Sequence, residues 1–264
     1  MSMNPKIIDW AGQVVWVVGA SSGIGRALAE ALSLRGARVI ASARRSEPLL
    51  SLQPACVRCL TVDVSQASDL QAAIKVLEQE HLLPDVVFWV AGVYHPMACE
   101  ALELDAVRET FEVNTLAAYA GLKQMLQAWE RLPGRPRHWS WVSSVAGYRG
   151  LPRAAAYGAS KAALTYLAEV SYLELQDKAI AVSVVQPGFV QTRLTAKNDF
   201  TMPAIITPEA AAAATLKGLA KGQFEIHYPK RFTLLLKLLR LLPYGLYFRL
   251  IRSTLPNHSS QRNS

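Results

Sequence analysis

The chain has 264 residues, 51% of them hydrophobic and 18% charged, with a formal net charge of +8. That length suits a single α/β unit, and that composition supplies a large core and excludes a disordered chain. The charge is also confined: residues 217–264 hold nine lysines and arginines against Glu225 alone, which equals the whole excess and excludes a uniformly nucleic-acid-binding surface.

Three cysteines, an odd number, exclude a disulfide framework. Cys56 and Cys59 form a Cys-x-x-Cys pair, but no second pair or nearby histidine completes a metal site, so both read as residues entering a strand and no metal is expected. Residues 1–6 carry no apolar segment of secretory type, and the reducing cytoplasm is the expected compartment.

In chain order, Val14–Val18 is an uninterrupted β-rich run, which suits a strand covered on both faces. It breaks at Gly19-Ala20-Ser21-Ser22-Gly23-Ile24-Gly25, after which Ile24, Leu28, Ala31 and Leu32 recur at helical spacing. The unpaired amides of that first helical turn suit a phosphate. A second strand, Arg38–Ser42, runs into Ala43-Arg44-Arg45. A third, Val57–Val62, ends in Asp63-Val64, and Gln66–His81 has helical spacing. The fourth strand, Asp85–Val90, leads into Ala91-Gly92, and a long helical region over 105–131 contains Phe111-Glu112-Val113-Asn114.

The fifth strand, His138–Val142, ends in Ser143-Ser144, and the helix after it carries Tyr157 and Lys161, four residues apart and so on one face. An ammonium there is expected to draw the phenol, ordinarily near ~10, down toward working pH and make it a general acid or base. The sixth strand, Ala181–Val185, ends in Pro187-Gly188-Phe189-Val190-Gln191-Thr192. Residues 193–207 have no strong period, an alanine-rich helix starts at Thr207-Pro208, and Phe224–His227 reads as a seventh strand.

The Gly-xxx-Gly-x-Gly spacing at 19, 23 and 25, together with Asn114, Ser144, Tyr157 and Lys161, resembles the short-chain dehydrogenase/reductase family over residues 13–227. The resemblance implies one doubly wound (Rossmann) α/β domain with a seven-stranded, mainly parallel sheet. It implies a nicotinamide dinucleotide touched by Gly19, Ser21, Ser22, Gly23, Ile24, Gly25, Asp63, Val64, Ala91, Gly92, Tyr157, Lys161, Pro187, Gly188, Val190 and Thr192. Where NAD-selecting relatives carry an acid at the end of the second strand this chain has Ala43, and Arg44 and Arg45 follow, which points to NADP(H). The family's Asn-Asn-Ala-Gly is here Trp89-Val90-Ala91-Gly92. Ser144 is the oxygen-orienting hydroxyl by its thirteen-residue spacing from Tyr157, with Ser143 as competitor; Asn114 is expected to bond a main-chain carbonyl and help Lys161 relay protons. Leu194, Phe200, Met202 and Ile205 fall where the family places a substrate lid.

The expected reaction is reversible NADPH-dependent reduction of a ketone or aldehyde by a homo-dimer or tetramer assembled through the helices over 105–131 and 157–176. The alternative is a catalytically silent dinucleotide sensor or a membrane- or partner-binding protein. Residues 1–229 form the catalytic domain, 230–256 a basic, leucine-rich helical extension, and 257–264 a disordered end. Thr233, Lys237 and Arg240 fall on one stripe of that extension with leucines around the rest. It suits either an anionic membrane surface through 230–252 or packing on the body or on a partner subunit, and it has no apolar run long enough to span a bilayer.

Overall fold

The structure is a computed structural model that describes residues 2–198, 200 and 202–252. The expectations for 253–264 lie outside the described residues. Seven strands, β1 (Val14–Val18), β2 (Arg38–Ala43), β3 (Arg58–Thr61), β4 (Val86–Trp89), β5 (Arg137–Val142), β6 (Ile180–Pro187) and β7 (Glu225–Tyr228), form one sheet in the order β3-β2-β1-β4-β5-β6-β7. All six pairings are parallel. All the carboxyl ends therefore face one side, and the crossover reverses direction between β1 and β4, where an open α/β sheet leaves a ligand crevice.

The helices are α1 (Gly23–Ser33), α2 (Glu47–Leu50), α3 (Ala67–Gln79), α4 (Leu104–Phe111), α5 (Ala117–Arg131), α6 (Ala155–Leu175), α7 (Pro208–Ala220), α8 (Lys230–Arg240) and α9 (Tyr244–Arg252). Leu28 and Leu32 of α1 and Leu216 and Leu219 of α7 cover one sheet face, against Val15, Val17 and Phe88. The other face carries Trp16, Trp89, Trp139 and Trp141 beneath α3, α5 and α6. Trp89 stacks on Trp139 with ring centroids 5.9 Å apart and meets Trp141 edge-on at 6.5 Å. Gly121 of α5 makes room for it, since a Cβ there would overlap the indole of Trp89. The residue standing in the family's asparagine position thus belongs to the core.

The single long helix expected over 105–131 is interrupted. Between α4 and α5, residues Glu112–Leu116 take a π-helical turn, which re-aims Asn114 into the protein. Cys56 and Cys59 lie at the entry to and within β3 as free, half-buried thiols, and burial pushes Cys56 up to about 12.

α8 docks on the body through Thr233 and Lys237 beside half-buried Phe232, Leu236 and Leu239, and α9 docks through buried Tyr247. Thr233, fully buried, bonds His227 Nδ1 at 2.6 Å, and Lys237 pairs with Glu225. Arg149 then clamps the joint: its Nη1 donates to the carbonyls of Leu239, Arg240 and Leu242 at 3.3, 3.0 and 2.7 Å, closing the C-terminal end of α8. The same guanidinium lies 4.6 and 4.1 Å from the ring centres of Tyr244 and Tyr247. Leu234, Leu235, Leu238 and Leu241 face outward, 53 to 76% exposed. The helix thus leaves four leucines outward where an ordinary surface helix buries its apolar stripe. Among the described residues no helix is long and apolar enough to cross a membrane.

Candidate active site

Strand β1 hands the chain to α1 through a turn that only small residues permit. Gly19 has φ +97°, and a Cβ on it would sit 2.6 Å from the Ala91 amide nitrogen. Gly23 has φ +56°, and its Cβ would meet Thr192 Cγ2 at 2.8 Å. Ser22, the residue before α1, makes no side-chain cap bond among the described residues, and no acid stands in the first turn. The leading amides of α1 keep their positive partial charge at the crevice, an arrangement suited to a phosphate.

A cleft of about 470 Å³ opens over the carboxyl ends of β1 and β4. Its walls gather the turn residues Gly19, Ser21, Ser22, Gly23 and Ile24, with Arg44, Arg45, Asp63 and Val64 at one end. Ala91, Gly92, Ser144, Tyr157, Lys161, Pro187, Gly188, Val190 and Thr192 form the other. Gly25 does not line it; a Cβ there would overlap the Gly19 carbonyl, so this glycine serves the packing of α1 on β1. Of the four expected lid residues, Leu194 lines the cleft. Phe200 stacks edge-on against Phe189 at 5.7 Å, Met202 Sδ accepts from Asn198 Nδ2, and Ile205 is exposed.

The adjacent serines have opposite orientations. Ser143 Oγ donates to the Lys161 carbonyl at 2.8 Å and meets Thr165 Oγ1 at 2.9 Å, which ties it to α6. Ser144 Oγ accepts from the Ala146 amide at 3.1 Å and acts on the Tyr157 phenol, whose titration it lowers. Ser144 is the hydroxyl presented to the cleft.

The electrostatics of Tyr157 run against the downward shift expected from Lys161. Burial pushes the phenol up to about 12; Ser144 opposes this and Tyr94, whose ring centroid lies 4.8 Å away, adds to it. Lys161 Nζ stands 5.8 Å from the Tyr157 ring centre and donates to the Val142 carbonyl at 3.0 Å. Burial also lowers the lysine to about 8. Desolvation thus outweighs the mutual attraction, and each group is moved toward its neutral form.

Asn114 is fully buried behind this centre and does not line the cleft. Its Oδ1 accepts from the Val93 amide at 2.8 Å, and its Nδ2 donates to the Val93 carbonyl and to Ser160 Oγ, both at 3.0 Å. It pins the chain leaving β4 to the helix that carries Tyr157. Gly92 fits in the space between, where a Cβ would lie 3.1 Å from Asn114 Oδ1 and 3.4 Å from Lys161 Nζ.

Among the cleft residues that escape the sequence reading are Tyr94, His95 and Glu109. Tyr94 and His95 follow Gly92 at the carboxyl end of a central strand, where ligands of open α/β sheets bind, and that position is the signal that could have found them. Glu109 projects from α4, and its carboxylate meets His95 Nε2 at 2.9 Å and Arg44 Nη1 at 3.9 Å. Among the described residues no three metal-ligating side chains gather.

The residues present fit a dinucleotide on structural grounds: a turn whose Cβ positions are closed by neighbouring backbone and side chain, an uncapped helix terminus, and two arginines at the end of β2.

Known proteins agree with this geometry. The chain is 35% identical over 238 residues to an uncharacterised oxidoreductase of Myxococcus xanthus (strain DK1622), covering 88% of this chain and 93% of that one. It is 30% identical over 244 residues to the 3-ketodihydrosphingosine reductase of Bos taurus, covering 84% and 73%. Among solved structures, a short chain dehydrogenase from Burkholderia cenocepacia J2315 in complex with NADP superposes with a TM-score of 0.81 at 27% identity, over 94% of this chain and all of that one. The sequence profile of short chain dehydrogenases matches residues 13–202. The chain belongs to the short-chain dehydrogenase/reductase family.

Proposed function

We propose that this oxidoreductase reduces an apolar ketone or aldehyde to the alcohol with NADPH, through a catalytic domain over residues 1–229. The observation that carries the reading is the Ser144–Tyr157 pair at the cleft: a half-buried phenol held protonated up to about 12, beside the serine whose hydroxyl is not tied to α6. NADPH supplies the hydride when bound. Ser144 holds the substrate oxygen, Tyr157 delivers a proton to that oxygen as negative charge develops on it, and Lys161 contributes positive charge beside both. Asn114 keeps the β4 exit and α6 in register so that this geometry is preset.

Arg44 and Arg45 at the rim, with Ala43 where an acid would repel a 2′-phosphate, support NADP(H) over NAD(H). The neighbour in complex with NADP supports the same choice. Exposed Leu116, Tyr119, Tyr166 and Leu173 on and beside α5 and α6 suit a homo-dimer or tetramer assembled there. We place the enzyme in the cytoplasm, with residues 230–252 turned to an anionic membrane surface.

The reading is tested by following NADPH consumption over a panel of steroids, long-chain keto-lipids and small aldehydes, with NADH in parallel. Turnover with NADPH on at least one carbonyl class supports it. Absence of turnover across the panel, with the cofactor bound, favours a dinucleotide-sensing protein.

A further inference from the structure

The outward apolar side chains of α8 and α9 call for an occupant. Leu234, Leu235, Leu238 and Leu241 of the α8 face, and Leu246 and Phe248 of α9, lie between 48 and 76% exposed. With Thr233 and Lys237 holding α8 to the body, such a face gains nothing from standing in water. Lys230, Arg231, Arg240, Arg249 and Arg252 are exposed around it, and no acidic residue occurs between 226 and 252. A second copy meeting this face would bring five cations against five. A surface of anionic lipid satisfies both the leucines and the arginines.

The position of the platform follows from the sheet. Every strand is parallel, so β7 releases α8 on the same side as the carboxyl ends of β1 and β4 that form the cleft. Phe232 of α8 packs on Gly188, which lines the cleft, and a Cβ on that glycine would meet the ring at 2.9 Å. Phe189 continues the row, 5.5 Å from Phe232 and 5.7 Å from Phe200. Arg149, which clamps α8 to α9, lies on the segment between Ser144 and Tyr157. Platform and cleft thus share one rim, joined by an apolar row.

We infer that α8 and α9 seat the protein on an anionic bilayer through their outward leucines, and that the Phe232–Phe189–Phe200 flank admits a membrane-borne, long-chain carbonyl substrate directly from the lipid to the cleft. This rests on the reductase reading for the chemistry, but its binding half stands apart from it.

The experiment compares the full chain with Leu235→Glu/Leu238→Glu, whose side chains leave the docked face untouched. Co-sedimentation uses vesicles of phosphatidylcholine alone and with phosphatidylglycerol; turnover uses a short water-soluble ketone and a long-chain ketone carried in the vesicles. The native chain should pellet with the anionic vesicles, less when salt screens the arginines over about 8 Å. The double variant should lose at least tenfold in partitioning and in turnover of the vesicle-borne ketone while keeping its rate on the short one. Arg231→Gln/Arg249→Gln/Arg252→Gln, should the first variant not fold, should erase the preference for anionic over neutral vesicles. The inference is overturned if the native chain stays in the supernatant, if the variants pellet like it, or if the leucine variant instead shifts to a smaller assembly in light scattering, which makes the face a contact between copies. Loss of turnover on the short ketone by the native chain indicts the reductase reading alone.

Discussion

Arg44 and Glu109 face each other across the cleft, guanidinium Nη1 to carboxylate oxygen at 3.9 Å, with His95 on the other carboxylate oxygen at 2.9 Å. The arginine assigned to the 2′-phosphate is therefore already oriented by an anion. A carboxylate there both steadies Arg44 and opposes an incoming phosphate, and Arg44 is 62% exposed, so the pair itself is weak. Replacing Ala43 by Asp and Arg44 by Leu should raise the Michaelis constant for NADPH at least tenfold and that for NADH little. Glu109→Gln should tighten 2′,5′-ADP in calorimetry while leaving 5′-AMP nearly unchanged. Equal use of NADPH and NADH by the native protein contradicts this assignment.

Gly121 and Trp89 supply a stability prediction. A methyl at position 121 overlaps the indole, which is confined by Trp139 and Trp141 and has no room to retreat. Gly121→Ala should cost about 1–3 kcal/mol, the usual penalty for overpacking a dense core. Chemical denaturation followed by tryptophan fluorescence measures it, and an unchanged midpoint refutes the packing described.

Two buried histidines set an acid limit. His138 is held near 4 by burial alone, with Ser183 Oγ at 2.9 Å, and His227 near 4 by burial and by Lys237 and Lys230. An unfolded histidine titrates near ~6.5, so between those values the unfolded chain binds the extra proton. Stability is full above about pH 6.5 and falls as pH drops toward 4, by roughly 3 kcal/mol for His138. Denaturation midpoints across that interval should decline, and His138→Asn should flatten the slope. A midpoint independent of pH contradicts the burial.

Lys161 governs the alkaline limb. Tyr157, raised to about 12, stays protonated as a donor throughout the working range, whereas Lys161, lowered to about 8, loses its charge first. kcat/KM for reduction should therefore fall above about pH 8, and a plateau extending to pH 10 contradicts the role given to the ammonium.

What the sequence discloses and what it withholds divide by range. The glycine turn, the strand ends and the Ser144, Tyr157 and Lys161 spacing are local patterns, and the fold brings them to one cleft as the parallel order requires. Trp89 in place of asparagine is intelligible only with Gly121, thirty-two positions on, removed from its path. The π turn at Asn114 leaves no mark in a helical period. The upward displacement of Tyr157 depends on how deeply it is buried, which spacing to a lysine does not reveal. The stripe of Thr233, Lys237 and Arg240 is visible in the sequence, but that Thr233 and Lys237 turn inward while Arg240 stays exposed depends on Glu225 and His227, which lie outside α8.

The central claim is that Tyr157 gives the proton. Tyr157→Phe keeps the ring and its edge contact with Tyr94, and removes the hydroxyl that carries the transferable hydrogen. Single-turnover reduction by Tyr157→Phe, with NADPH affinity read separately by fluorescence, tests it most directly. The rate should fall more than tenfold, over ~1.4 kcal/mol of barrier, at nearly unchanged NADPH affinity; a variant that retains more than about a tenth of the native rate shows that Tyr157 is not the donor.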